Sequence, residues 1–526
     1  MKGNQRHTDF LPDNLENINR QKIIFFCLLF LLLLSKTFIL VRFSTAYTSN
    51  DDVIFWQGAR DYASAIFYEP YFYGQNYNFM LESLLAAPFL WLGIPVYWAV
   101  PLSTTILATF PFVLFASEFF RRRLFIGAYI FLSIPILISI EYDILSSLSR
   151  GFVSGIFFCS FLVYPILEPK KIRSFIIFGL AASFGFIMNP NSVIFSVPVG
   201  IYLLSFNFSN YRFYALTAVS ALPALTILYF SKSFYSDNPE YVVHGMWELI
   251  FKWKWIGEAF NYLDLFFTGI TPIFWSGNWI ILPILLILAI VLYRKNKRHS
   301  LVVLFALTFI IITFGINKVH DGKDWIFFSS TRMYLAVPLL LGLALHWASK
   351  AREKRVTRYS YLFLVVAAAT ISIKQFYFPV KIKELDPHRD LNILHVSTID
   401  ALENDCGQIS SILDQHPVDL VVFVPHWSHS DAHTQLLNYG CSFMDSRLNA
   451  SVISLYERRT WKFNSAIRLP HRNVLLYGYD LANKQEVLNY KDARIVHRNP
   501  DMVLITNNRL PLKQLTSKFK IKMKRK

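Results

Sequence analysis

The feature that most constrains this chain is a series of apolar blocks of bilayer length, separated by short clusters of Lys and Arg. The first is residues 23–41, IIFFCLLFLLLLSKTFILV. A block of about 20 apolar residues spans the hydrocarbon core as a helix, because a helix satisfies its own backbone hydrogen bonds where there is no water. Further blocks lie at 96–119, 124–140, 151–167, 174–188, 192–206, 213–230, 268–292, 300–316, 333–348 and 359–378. They bring the expected total to about eleven spans. The clusters Arg121–Arg123, Lys170–Arg173, Arg294–Arg298 and Lys350–Arg355 then all fall on one side, as cytoplasmic Lys and Arg should. Residues 78–93 are apolar but broken by Pro88 and Gly93, and are expected to lie in the interface.

Composition agrees. Of 526 residues, 54% are hydrophobic and only 17% charged, where a soluble chain carries roughly 25%. The net charge of +17 would suit nucleic acid, but the cations sit between apolar blocks and form no continuous basic face. No nucleic-acid partner is expected. The first block follows Arg20 and Lys22 and is too long for the core of a cleaved signal peptide, so it reads as a retained helix. The expected organisation is a cytoplasmic tail at 1–22, a transmembrane domain at 23–379 with a first external loop at 44–95, and an external domain at 380–526. That places a multi-pass protein in the cytoplasmic (inner) membrane with its C-terminal domain periplasmic.

From about residue 380 the chain turns polar. Short β-type runs at Asn392–Val396, Leu420–Val424, Ser451–Tyr456, Val474–Tyr477 and Met502–Thr506 alternate with helical patterns at 398–415 and 430–439. This predicts a small α/β domain. It has no GxGxxG or P-loop pattern. Its only cysteines, Cys406 and Cys441, are expected to pair if the domain lies in an oxidising compartment. Cys27 and Cys159 lie in apolar blocks and read as small hydrophobes.

Chemistry points to the first external loop. Thr48-Ser49-Asn50-Asp51-Asp52 follows the first helix directly. One reading makes the acids the cap of a solvated helix. The other makes one of them a general base or an acceptor-orienting carboxylate. The stretch Tyr68-Glu69-Pro70-Tyr71-Phe72-Tyr73-Gly74-Gln75-Asn76-Tyr77 interleaves rings with polar side chains. It reads either as a sugar-binding surface or as an interfacial aromatic belt. External cations that could face a phosphate are Arg60, Arg150, His320, Lys323 and Arg332, with the forked guanidiniums of Arg150 and Arg332 first. Both could instead snorkel to the interface. The loop His244–Phe267, with Trp247, Lys252, Trp253, Lys254 and Trp255, reads as an interfacial anchor or as the wall of a lipid-donor entrance.

These pieces in this order resemble the C-type (GT-C) membrane glycosyltransferases. The branch is that of protein O-mannosyltransferases and the aminoarabinose transferases of lipid A. The resemblance covers roughly residues 20–378. It rests on Asn50-Asp51-Asp52, on Tyr73-Gly74-Gln75 with Glu82, and on Thr331-Arg332-Met333-Tyr334-Leu335-Ala336-Val337-Pro338. The last is similar to the family's Arg-Tyr-…-Pro signature at the start of a late helix. The resemblance implies inverting transfer from a polyprenyl-phosphate sugar to a glycan, lipid or protein acceptor. Asp51 or Asp52 would be the first-loop catalytic carboxylate, in a chain that has Asp-Asp where family members often have Asp-Glu. Glu141 or Asp143, read as lying in the second external loop, would be a second acid. Tyr73, Gln75, Glu82, Arg60, Arg150, His320 and Arg332 would contact substrate. No cofactor is required by the sequence, although a divalent metal is used by some members. Two other functions fit many helices: a flippase for lipid-linked saccharides, and an O-antigen polymerase or ligase. A flippase needs paired halves or charges deep in its helices, and a polymerase or ligase a large late external loop.

Overall fold

The computed structural model describes residues 11–246, 248–267, 269–273, 277–320, 332–349, 360–384, 396–424, 431–448, 452–454, 457–478 and 493–514. A helix lies on every expected span. The first, Leu11–Ile39, runs through a π-turn at Leu40–Ser44 into a short strand, β1 (Tyr47–Ser49). Ile18–Ser44, Val96–Arg121, Tyr211–Asp237 and Tyr361–Lys383 are long and apolar enough to cross a bilayer. Shorter apolar helices complete the bundle, among them Phe125–Leu137, Ile172–Met188 and Val337–Ser349. The core is aromatic, with Phe115, Phe119 and Phe131 fully buried, while Val219, Leu222, Leu225, Tyr229 and Phe230 of Tyr211–Asp237 face outward, as lipid-facing residues do. Ile172–Met188 packs against Tyr211–Asp237, and Gly179 permits the approach, since a Cβ there would lie 2.5 Å from the Thr217 carbonyl oxygen.

The basic clusters meet at one end of the bundle. Glu168 pairs with Arg122 of the first cluster at 2.8 Å, and with Lys171 and Arg173 of the second. Lys295 donates to the Ala348 carbonyl at 2.6 Å, and Arg298 lies 4.6 Å from the Phe206 ring. Lys350–Arg355 lie outside the described residues.

Two blocks differ from expectation. Block 124–140 ends at Leu137, and Glu141 and Asp143 belong to a separate buried helix, Ile140–Ser147, rather than to an external loop. Block 268–292 becomes helical only from Asn278. Before that, Thr271–Ile273 run beside Leu137–Ser139, with Ile273 N donating to the Leu137 oxygen at 2.9 Å. Gly269 (φ +81°) makes the turn, for a Cβ there would meet the Tyr142 nitrogen at 2.7 Å.

After the last membrane helix, Tyr361–Glu384, comes the α/β domain. Its five-stranded sheet has the order β4 (Val452–Ser454), β3 (Leu420–Phe423), β5 (Pro470–Tyr477), β7 (Met502–Pro511), β6 (Ala493–Arg498). The first three strands are parallel and the last two join antiparallel. Helices Ile399–Gln415 and Asp431–Met444 pack together and carry the disulfide Cys406–Cys441, with Cα atoms 5.2 Å apart. The strand expected at Asn392–Val396 is β2 (Val396–Thr398), and it is not part of this sheet. It pairs antiparallel with β1, Tyr47 against Thr398 and Ser49 against Val396. The domain is thereby fastened to the chain just before the acidic pair. Strand β6 (ARIVHR) was not expected, because its alternation is of charged and apolar residues at a sheet edge.

Candidate active site

β1 ends at Ser49, and helix Asp52–Ala63 begins three residues later, with Asp51 at its N-cap position. The side chain of Asp51 makes no capping hydrogen bond. Its side chain, 31% exposed, lies between two guanidiniums: Arg458 Nη1 at 3.4 Å from Oδ1, and Arg150 Nη1 at 3.8 Å from Oδ2. Burial works to raise the Asp51 carboxyl, but the charges of Arg150, Arg458, Arg332 and His244 outweigh it and hold the group below the ordinary carboxylate range. Arg458, Arg332 and Asp51 also act on the phenol of Tyr77, which burial raises. One carboxylate, one phenol, three arginines and a histidine thus share a neighbourhood.

Asp52 has a different task. It is 7% exposed and accepts from Ser49 Oγ at 2.6 Å and from the Ser149 backbone nitrogen at 3.0 Å. Burial raises it, against the pull of Arg150 and Ser49. It fixes the 149–150 segment beside β1, where Arg150 Nη2 donates to Ser49 Oγ at 2.8 Å. The same segment is held from the other side. Asn78 Nδ2 donates to the Arg150 carbonyl at 3.2 Å, and Glu82 accepts from Gly151 N and Ser154 Oγ, both at 2.9 Å. Gly151 (φ +75°) is needed there, since a Cβ would meet Asn78 Oδ1 at 2.2 Å.

Of the residues expected to carry chemistry, Asp51, Arg150 and Arg332 come together. Arg332 lies 5.3 Å from the Phe152 ring, and its carbonyl accepts from Asn191 at 3.1 Å, just ahead of helix Val337–Ser349. The others make their contacts elsewhere. Asp143 is buried and bridges Lys36 (2.5 Å) and Lys374 (2.6 Å), and Glu141 pairs with Lys381 at 2.9 Å. Both acids are neutralised by lysines of the first and last membrane helices. Glu82 is wholly buried on its backbone and serine partners, and burial raises it to about 7. The Tyr73 hydroxyl donates to Asp61 at 2.7 Å inside the loop core. Gln75 takes part through its backbone, in a bridge to His244. Arg60 donates to Gln57 and to the Ser442 carbonyl and stacks on Phe443, 4.3 Å away. It lines a separate cavity of about 450 Å³ with Trp91, Tyr97 and Phe443. His320 Nε2 is hydrogen-bonded to the Phe314 oxygen at 2.6 Å. Lys323 and Trp247 lie outside the described residues. Among the described residues no three of His, Cys, Asp and Glu are grouped as metal ligands, and the neighbours of Asp51 are cations, a set that does not fit a divalent ion.

The sequence does not single out Arg458, and it marks Tyr77 and His244 only as members of the stretch Tyr68–Tyr77 and the loop His244–Phe267. The signal for Arg458 was the run Glu457-Arg458-Arg459 directly after an apolar strand, where three consecutive charges need partners. Glu457 and Arg459 supply their own: a buried pair at 2.8 Å, with Asn438 and Tyr439 also donating to Glu457.

No protein-family model matches the chain, and no curated protein matches it. Its fold, a helical membrane bundle with an added α/β domain, is nevertheless similar to that of solved structures. Among them are two structures of ArnT from Cupriavidus metallidurans, one bound to undecaprenyl phosphate (TM-score 0.51) and one in the apo state (TM-score 0.50). Each aligns over 91% of this chain and 97% of ArnT at 10% identity, so the likeness is one of fold. ArnT is a lipid A aminoarabinose transferase.

Proposed function

We propose that the protein is a glycosyltransferase that takes a sugar from a polyprenyl-phosphate donor and passes it to a hydroxyl acceptor at the outer face of the cytoplasmic membrane. The observation that carries this reading is Asp51: an accessible carboxylate at the N-cap of helix Asp52–Ala63, set among Arg150, Arg332 and further cations. The ArnT structure bound to undecaprenyl phosphate supports the lipid-phosphate class of donor.

The acceptor hydroxyl approaches the anomeric carbon opposite the phosphate. Its oxygen forms the new glycosidic bond while the bond from that carbon to the phosphate oxygen breaks. The electron pair leaves on polyprenyl phosphate, and the configuration inverts. Arg150 and Arg332 face the charge that develops on the leaving phosphate. Asp51 orients the acceptor hydroxyl and takes its proton. In the free protein the arginines hold Asp51 ionised; a bound phosphate engages those arginines and lifts the carboxyl toward the range in which it accepts a proton. No step is routed through a metal.

The protein reconstituted in lipid nanodiscs is offered undecaprenyl-phosphate hexoses and pentoses together with lipid, glycan and peptide hydroxyl acceptors, and free undecaprenyl phosphate is followed by mass spectrometry. Release coupled to glycosylated acceptor is expected for one pair. Movement of intact donors across a bilayer without release would mean a flippase instead.

A further inference from the structure

Arg458 does not belong to the membrane domain. It comes from the C-terminal α/β domain, between β4 and helix Thr460–Arg468, and reaches across to the first loop. Its own domain holds it rigidly. The Arg458 backbone nitrogen donates to the Tyr439 hydroxyl oxygen at 3.1 Å, and the flanking Glu457 and Arg459 are locked to one another. Those flanks point inward, which turns Arg458 toward Asp51. Opposite it, the first loop is shaped for it. A Cβ on Gly74 (φ +78°) would lie 2.8 Å from Arg458 Cβ, and the Phe72 ring lies 5.4 Å from its guanidinium carbon.

The contacts of the guanidinium itself are loose. It reaches Asp51 at 3.4 Å and Gln435 at 3.5 Å, and its buried Nε has no partner among the described residues. Arg150 stands 3.8 Å from the other Asp51 oxygen. A fitted charge-assisted hydrogen bond is about 2.7–2.9 Å long, which the structural pair Glu457–Arg459 attains at 2.8 Å. Two guanidiniums therefore flank a carboxylate that fits neither. The gap between them suits a larger anion with more oxygens, which a phosphate is.

We infer that Arg458 is a ligand of the donor phosphate, so that the C-terminal domain forms one wall of the donor site. This rests on the donor class proposed above. Pairing of β2 with β1 holds that wall in register, because it ties the start of the domain to the residues just before Asp51.

The test is binding of undecaprenyl phosphate and of undecaprenol, its uncharged counterpart, to the full-length protein in nanodiscs. The variants are Arg458→Ala and Arg458→Gln, with Arg150→Ala beside them. Loss of a hydrogen-bonded charge contact predicts about a ten- to hundredfold weaker affinity for undecaprenyl phosphate with undecaprenol unchanged. Arg458→Gln keeps most of the side chain and serves the same reading where the alanine variant does not fold. Phosphate affinity within twofold of wild type in the Arg458 variants, while Arg150→Ala loses it, would overturn the inference. So would equal losses for phosphate and alcohol, which mark a merely structural role. Wild-type protein that does not prefer undecaprenyl phosphate over undecaprenol overturns the donor reading itself, and this inference with it.

Discussion

Two adjacent aspartates do opposite work here, and the difference lies in what surrounds them. Asp52 is a buried acceptor for Ser49 and Ser149, while Asp51 faces arginines and solvent. Asp52→Asn keeps the shape but removes the carboxyl that accepts from Ser49 and Ser149 and that Arg150 favours in its charged form. It should cost about 1–3 kcal/mol of stability, read as a lower melting temperature with turnover per folded molecule retained. Glu69 gives a pH signature. Burial raises its carboxyl to about 9, against the hydrogen bonds from Gly74 and Tyr235. Between the ordinary glutamate value and about 9 the unfolded chain loses a proton that the folded protein keeps, so this group lowers stability as pH rises through that window. Melting temperatures of wild type and Glu69→Gln should diverge from pH 6 to pH 9, wild type falling further; parallel curves would refute the buried, protonated Glu69. The acidic pair was legible in the sequence as a place. The roles of its members were not, because they are set by Ser149 and Arg458, 97 and 407 residues away in the chain.

At the scale of elements, helix Ile140–Ser147 and the C-terminal helices carry the testable claims. Asp143 is the only acid between two buried lysines from helices Leu11–Ile39 and Tyr361–Glu384 among their described contacts. Asp143→Asn removes the carboxylate in contact with both buried lysines, a loss of about 3–5 kcal/mol. The expected result is a sharp fall in the folded fraction after extraction, with normal donor affinity in what remains; folded protein that has lost only donor affinity would return Asp143 to the active site. The Cys406–Cys441 bond closes a separation of 35 residues. Replacing both by serine should lower the stability of the α/β domain by about 4 kcal/mol on the chain-entropy estimate, measured by denaturant unfolding of that domain's tryptophan signal. Bilayer-length helices and the cysteine pair could be read directly, since apolar length and residue count encode them. The helix carrying Asp143 was mistaken for a loop because its acids look external until the lysines that neutralise them are placed. Strand β2 was assigned to the wrong sheet because its partner is β1, at the far end of the chain.

For the whole molecule, the bundle has one basic end, where Glu168 ties two cation clusters together, and a site that the α/β domain helps to enclose. On the proposed topology these lie on opposite sides of the membrane. Single cysteines at Lys171 and at Arg494 should then react with a membrane-impermeant maleimide from the cytoplasmic and periplasmic sides respectively. Labelling of both from one side would invert the account. Whether Asp51 acts in transfer from a polyprenyl phosphate is decided by Asp51→Asn, with turnover and undecaprenyl phosphate affinity measured on the same preparation. Removing the carboxylate removes the acceptor's proton-accepting group and also the anion that competes with phosphate for Arg150. Turnover should fall by about a hundredfold or more, with affinity equal to or tighter than wild type. Turnover within a few-fold of wild type would contradict that role for Asp51.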